Sequence, residues 1–259
     1  MSLTLAILAK DKAHCLPYYL KALHNQSYPK SNICLYIRTN DNNDNTASIL
    51  KEWIDMHGHL YKEVYYNDDS IDEQVKNYKP HEWNALRFKI LGKIRQNSIE
   101  WAMRRNSNYF VADCDNFLVN PKTLEILNGS NLPVIAPFLV TSTTYYSNYH
   151  HKVDDKGYFI NNSEYMSIYE RKIKGLIEVD LVHCTYFIKN EYLKYVSYLS
   201  DGTDRHEYVI FSSNLRTNNI KQYLDNRNIY GYISSKDDID GLKNENWIDE
   251  FQSVIDKIV

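Results

Sequence analysis

The sequence predicts an α/β fold: a three-layer arrangement around a mostly parallel central sheet. Three observations predict it. Apolar runs alternate with helically periodic segments through the first half of the chain, the rhythm of strand–helix–strand units with right-handed crossovers. The fourth predicted strand, Tyr109-Phe110-Val111-Ala112, runs out at two aspartates one residue apart, Asp113 and Asp115. Glycine-rich phosphate loops are missing: strand one ends in Ala9-Lys10-Asp11-Lys12, with neither the dinucleotide fingerprint nor a P-loop.

The elements follow in order. Residues 3–9 read as a buried strand. Residues 16–23 carry apolar side chains at helical spacing, and Pro17 fits a first helical turn. Residues 33–38 form a second strand, followed by the polar loop Asn40-Asp41-Asn42-Asn43-Asp44-Asn45-Thr46. A helix over 47–56 puts Ile49, Leu50, Trp53 and Ile54 on one face. Residues 60–66 read as a third strand, 68–80 as a charged excursion and 83–104 as a long helix ahead of strand four. After Asp115 the rhythm changes. A short helix over 123–127, a strand over 133–139, a polar and aromatic stretch over 140–175, a strand over 179–188 and a helix over 207–218 follow. The tail, 247–258, places Trp247, Phe251, Val254, Ile255 and Ile258 on one helical face that packs on the domain; left exposed, it would indicate a homo-oligomer interface.

With 259 residues, no repeat and no clear linker, the expectation is one domain over 1–259, with a nucleotide-binding half at 1–115 and an acceptor-binding half at 116–259. A formal net charge of −3 gives no reason to expect nucleic acid or an anionic membrane as partner. The four cysteines, Cys15, Cys34, Cys114 and Cys184, lack C-x-x-C spacing and read as free thiols. The N-terminal apolar run is seven residues without a basic leader, so it reads as a strand, not a signal peptide. No segment is long enough to span a bilayer, and a cytoplasmic location is expected.

Asp113 and Asp115 carry the chemistry. A strand ending in D-x-D holds two carboxylates at the carboxyl edge of a sheet, where open α/β sheets bind ligands. Hard oxygens suit Mg²⁺ or Mn²⁺, usually held by one or two carboxylates plus substrate phosphates, so the natural cargo is a nucleotide diphosphate. The competing reading is a surface turn or helix cap, where aspartates are common. Without a glycine nest, a metal and basic side chains must neutralise the phosphates, as in nucleotide-sugar transferases of the GT-A type.

An ordered series of blocks resembles the procollagen galactosyltransferases of glycosyltransferase family 25, over about residues 4–233. The blocks are Ile7-Leu8-Ala9-Lys10 with Ala13-His14-Cys15-Leu16-Pro17, then Asp41 through Thr46, Glu52-Trp53, Trp83, Arg87 and Lys93-Ile94-Arg95-Gln96. Asp113-Cys114-Asp115-Asn116, Thr144 through Asn148, Gly157-Tyr158, Val182-His183-Cys184-Thr185, Asn226 and Tyr230-Gly231-Tyr232 complete it. The resemblance implies a GT-A fold, a UDP-hexose donor, Mn²⁺ and a collagen-like polypeptide acceptor. Asp113 and Asp115 match the family's metal motif; Asp115 is the better direct ligand, with Asp113 reaching the metal through water or holding the ribose.

Ala9, Lys10 and Asp11 after strand one, and Thr39 and Asp41 after strand two, are expected to cradle uracil and ribose. The family usually shows Arg where this chain has Lys10, and Lys cannot make a planar, bidentate contact. Arg87 and Arg95, eight residues apart on the long helix, lie near one face and could reach the donor; a solvated basic face is the alternative. A transfer that inverts configuration needs a base for the acceptor proton, and the candidates are Glu207, Asp204, Asp180 and His183. The family shows an acidic pair where this chain has His206-Glu207, so Glu207 keeps one carboxylate and His206 replaces the other. Glu207 is the first choice, as base or acceptor-orienting group; a helix N-terminal acid is its structural alternative. His183 could complete the metal shell, touch the donor sugar or simply line the core. Trp83, Tyr146 and Asn148, with Tyr145, are candidates for the sugar and acceptor surfaces.

Three functions are weighed. The first is Mn²⁺-dependent transfer of galactose or glucose from UDP-hexose to hydroxylysine or galactosyl-hydroxylysine. The second is a catalytically inactive glycosyltransferase-like binding subunit. The third, a sugar-nucleotide nucleotidyltransferase, needs a glycine-rich loop after strand one that this chain lacks.

Overall fold

The computed structural model describes residues 2–71 and 84–256, with side chains to residue 254. The first half follows the predicted alternation: β1 (Leu3–Ala9), α1 (Leu16–His24), β2 (Ile33–Thr39), α2 (Thr46–His57), β3 (Glu63–Asn67), α3 (Ala85–Arg104) and β4 (Asn108–Ala112). The second half runs β5 (Asn116–Leu118), α4 (Thr123–Gly129), β6 (Val134–Pro137), β7 (Leu139–Thr141), β8 (Tyr149–His150), α5 (Ser163–Tyr169), β9 (Leu176–Val179), β10 (Leu181–Val182) and β11 (Thr185–Ile188). It closes with α6 (Asn190–Leu193), α7 (Glu207–Thr217), β12 (Gln222–Asp225), β13 (Gly231–Ile233), α8 (Ile239–Lys243) and α9 (Ile248–Asp256).

The central sheet has eight strands in the order β3-β2-β1-β4-β11-β6-β12-β9. Strands β1 to β4 are parallel, β11 is antiparallel to both β4 and β6, and β12 is parallel to β6 and antiparallel to β9. Six strands therefore share one direction and only β11 and β9 oppose it. Helices flank this mostly parallel sheet, the GT-A arrangement. Interior strands β1, β2 and β4 are apolar on both faces and almost fully buried, as parallel strands covered on two sides require. The edge strand β3 is half-exposed.

Helix α3 starts at Asn84, whose side chain accepts from the Arg87 N–H at 3.0 Å and caps the first turn. It lies against β1, β2 and β4 and against α7, which positions its basic residues next to the strand ends. Trp247 and Phe251 are buried against Phe117, with ring centroids 5.2 and 5.6 Å away, so this face of the C-terminal segment packs on the molecule.

Two expectations need correction. The strand over 179–188 is not continuous: β9 ends at Val179, β10 covers only Leu181–Val182, and Cys184, at φ +61°, turns the chain sharply before β11. The polar and aromatic stretch 140–175, to which no element was assigned, contains α5, capped by Asn162 on the Tyr165 N–H at 2.9 Å. No helix among the described residues is long and apolar enough to cross a membrane.

Candidate active site

Parallel pairing brings the ends of β1, β2 and β4 to one rim. Ala9 is in register with Thr39, and Ala6 with Val111. Antiparallel β11 begins where β4 ends, with Thr185 opposite Ala112, so the corner at His183-Cys184 arrives at the same rim. There the Asp113 N–H donates to the Cys184 carbonyl at 3.0 Å.

The loops after β1 and β2 brace each other. Asp11 and Asp41 both hold left-handed backbone conformations, φ +52° and +43°, which are costly for non-glycine residues and cluster at functional sites. What holds them is a net of bonds: Asp11 N–H to Asn42 Oδ1 (3.0 Å), Asn43 N–H to Asp11 Oδ1 (2.6 Å), Ile71 N–H to Asp41 Oδ2 (3.1 Å) and Lys10 Nζ to the Asp41 carbonyl (2.6 Å). Ala9 and Thr39 are buried in the sheet, with Thr39 Oγ1 taken by Asn42 at 2.7 Å. They anchor the loops, and the loops present their surface to the rim.

Each rim acid carries its own cation. Arg95 Nη2 donates to Asp113 Oδ1 at 2.9 Å, and Lys12 Nζ donates to Asp115 Oδ2, also at 2.9 Å. The two carboxylates keep 29 % and 30 % of their side-chain surface, so they are reachable from solvent. The same Arg95 approaches Glu207 Oε1 with Nε at 3.4 Å. Burial works against the Arg95 charge, but Asp113, Tyr186 and Glu207 outweigh it and hold its pKa above the ordinary value. Burial pushes the Glu207 carboxyl up, against the opposing pull of Arg95. Arg95 Nη1 is buried and without a hydrogen-bond partner, a donor left over beside the acids.

The residues fit a hard divalent cation. Two accessible carboxylates supply oxygen ligands, and among the described residues no group of three or more His, Cys, Asp or Glu forms a cage. Remaining coordination would fall to substrate phosphate oxygens and water, the usual arrangement for a nucleotide-linked metal.

Facing the acids is an aromatic and imidazole cluster. The Tyr146 hydroxyl lies 3.5 Å from His183 Nδ1 and 3.8 Å from Cys184 Sγ, while 46 % of the residue remains exposed. The His183 ring is 5.1 Å from His150 and 5.3 Å from Tyr208, and Tyr208 is 5.3 Å from His206. His206 stacks on Phe88 at 3.9 Å. Burial, reinforced by His150 and Arg95, holds His183 well below the usual imidazole range, and burial takes His150 down to about 4. Both rings are neutral at physiological pH, and His183 Nε2 and His150 Nδ1 are buried without hydrogen-bond partners.

The structure thus brings together Lys10, Asp11, Asp41, Arg95, Asp113, Asp115, Tyr146, His183 and Glu207 at one rim and its facing cluster. Arg87 stands in the first turn of α3, two turns before Arg95. Two expectations are corrected. Asn148 is fully buried, its amide donating to the Pro137 (2.9 Å) and Thr185 (3.0 Å) carbonyls and accepting from Leu139 N–H (3.2 Å), which leaves no face for an acceptor. The Asp180 carboxylate is spent on Lys152 and the Val153 N–H, both at 3.2 Å, and its carbonyl ties down α7 through Ser212 and Arg216, so it braces the fold and is not placed as a base. Asp204 is exposed in the loop before α7 and takes no part in the ion pairs joining Arg95, Asp113 and Glu207. Trp83 lies outside the described residues. A cleft of about 400 Å³ between α1 and α2, lined by Leu20, His24, Trp53, Met56 and His57, shares no residue with the rim.

Sequence reasoning missed Lys12, His150 and Tyr208. Lys12 was visible as the second lysine after strand one; the two aromatic residues gave no signal, because α7 and β8 meet only in three dimensions.

Residues 2–252 match the family described as "Glycosyltransferase family 25, N-terminal domain". Human procollagen galactosyltransferase 2 is 33 % identical over 236 residues, covering 88 % of this chain and 38 % of the relative. Mouse inactive glycosyltransferase 25 family member 3 is 30 % identical over 244 residues, covering 90 % of this chain and 40 % of the relative. The chain therefore spans about two fifths of the length of these curated relatives. Among solved structures, S. aureus TarS 1–349 superposes with TM-score 0.59 at 11 % identity, over 100 % of this chain and 70 % of TarS. Its complex with UDP-GlcNAc gives 0.59 at 12 % identity, over 100 % of this chain and 65 % of that one. At such identity the likeness is one of fold.

Proposed function

This chain belongs to glycosyltransferase family 25, and from that premise we propose that it moves galactose or glucose from a UDP-hexose, with Mn²⁺, to hydroxylysine or galactosyl-hydroxylysine of a collagen-like polypeptide. The observation that carries the reading is the accessible pair Asp113 and Asp115 at the sheet rim, with Asp113 joined through Arg95 to the buried carboxylate of Glu207. The names of the relatives support the acceptor and the sugar.

Asp113 and Asp115 would hold the cation, which supplies charge to offset the negative charge growing on UDP as the glycosidic bond breaks. The braced loops carrying Lys10, Asp11 and Asp41 offer backbone and carboxylate groups to base and ribose. Arg95, with its leftover Nη1 donor, offers a hydrogen bond to the diphosphate or the sugar. Tyr146 and Tyr208 offer ring faces to sugar and acceptor, and neutral His183 offers a hydrogen-bonding edge without charge. Where configuration inverts, Glu207 takes the proton of the acceptor hydroxyl; its raised pKa makes it a stronger base once ionised. Residues 1–115 would serve the donor and 116–259 the acceptor.

The test is a matrix of UDP-galactose and UDP-glucose against hydroxylysine-containing and galactosylated collagen peptides, read by mass spectrometry with and without Mn²⁺. UDP release and a mass gain of one hexose are expected for one pairing. Likeness to inactive family members favours a second reading, a subunit that binds without turnover. Metal-dependent UDP binding with no product from any pairing would establish it.

A further inference from the structure

Lys12 stands where other nucleotide-binding folds place a glycine nest, in the turn leaving β1. Its backbone is pinned: the N–H donates to Thr46 Oγ1 at 2.7 Å, and the carbonyl accepts from Cys15 (3.1 Å) and Leu16 (3.0 Å). Only the side chain is free to move, on a flexible four-carbon stem. Lys10 and Arg95 are each held by a second group. Lys10 bonds the Asp41 carbonyl, and Arg95 is shared between Asp113 and Glu207. The Lys12 ammonium has Asp115 as its one ion-pair partner among the described residues, with both side chains still 28 % and 30 % exposed.

An ammonium on a metal acid is a placeholder. It satisfies the carboxylate while no metal is there, and it must leave before Asp115 can coordinate one. Once displaced, a lysine rooted in the β1 turn has an obvious new counter-ion, because a diphosphate at this rim brings more negative charge than Asp115 gives up.

We propose that Lys12 is the phosphate-binding cation of the donor site, resting on Asp115 when the site is empty and passing to the diphosphate when a nucleotide arrives. The proposal rests on the donor-site reading above and adds a sign to it. Lys12 opposes a divalent cation that comes alone and favours one that comes with a nucleoside diphosphate. By linkage it therefore makes the two ligands cooperative, each tightening the other by the same factor.

The experiment measures Mn²⁺ binding alone, and UDP binding at saturating Mn²⁺, by titration calorimetry on wild type, Lys12→Met and Lys12→Arg, with circular dichroism to confirm folding. Lys12→Met is expected to bind Mn²⁺ alone about fivefold more tightly, since a part-exposed ion pair no longer competes. The same variant is expected to bind UDP in Mn²⁺ about tenfold more weakly, the loss of one charge-assisted contact. Lys12→Arg keeps the charge and is expected to follow wild type in the direction of both. Weaker Mn²⁺ binding by Lys12→Met, unchanged UDP affinity, or Lys12→Arg behaving like Lys12→Met would overturn the proposal while leaving the donor site standing. Failure of wild type to bind UDP with Mn²⁺ would remove both.

Discussion

Glu207 Oε1 lies 3.4 Å from Arg95 Nε, and the other side of that guanidinium holds Asp113 at 2.9 Å. One buried cation thus joins the acid that would take the acceptor proton to an acid that would hold the metal. Arg95 thereby aims both carboxylates, and its charge opposes the upward push of burial on Glu207.

Glu207 is expected to trade stability for function. Burial raises its pKa, so its contribution to stability is present at low pH and is lost as pH rises through the folded-state value. Above that value the ionised form strains the fold. Glu207→Gln should therefore leave the melting temperature at or above wild type, while transfer falls by about 10²–10⁴ and Mn²⁺-dependent UDP binding persists. Calorimetry and single-turnover assays check both halves. The wild-type rate should lose its acid limb at a pH above the ordinary glutamate range.

Arg95 is expected to behave in the opposite way. Arg95→Met leaves two carboxylates in a part-buried site with no cation between them, and should cost about 3 kcal/mol of stability. It should also move the acid limb of the pH–rate profile further up, because Glu207 loses the charge that favours its ionised form. Denaturant titration reads the first effect and a pH profile the second.

The acid pair is tested by metal withdrawal. Asp113→Asn and Asp115→Asn should each weaken UDP binding in Mn²⁺ by about 10- to 100-fold. In excess EDTA, the advantage of wild type over both variants should be lost. A variant that keeps wild-type affinity in Mn²⁺ would remove that residue from the metal site.

His150 predicts a pH-dependent stability. Burial takes its pKa down to about 4 from an unfolded value near 6.5, so its stabilising contribution is full above 6.5 and is lost as pH falls toward 4. The expected slope is about 1.4 kcal/mol per pH unit from this ring alone. Glu207 works in the other sense as it protonates, so the clean observable is the difference between wild type and His150→Asn across this window. Parallel stability curves would count against it.

How far the sequence could be read depended on the range of the forces involved. Strands β1, β2 and β4 were legible because both faces are apolar, and α1, α2 and α3 because their periodicity is local. Asp113 and Asp115 were legible because a strand end fixes where its next residues go. The Lys12–Asp115 pair was not, since it spans 103 residues and depends on the loop's side-chain direction. The expected role of Asn148 failed for a related reason: its neighbours Tyr145 and Tyr146 are exposed, but the chain buries Asn148 to satisfy backbone groups on β6, β7 and β11. Cys184 concealed a break because nothing in Leu181-Val182-His183-Cys184-Thr185 discourages continuous extension; only the pairing of β11 with β4 demands the corner.

The reversed strand β11, wedged between β4 and β6, has a temporal consequence. A nascent polypeptide that has completed β5 already owns both rim aspartates, yet it lacks the corner that accepts the Asp113 amide and the glutamate that shares its arginine. Catalytic competence would emerge only after the distal segment threads back and zips onto the early strands, a slow, long-range closure. Two fragments severed between β5 and α4 should each be inert, and mixing them should restore turnover only to the extent that this wedge re-forms.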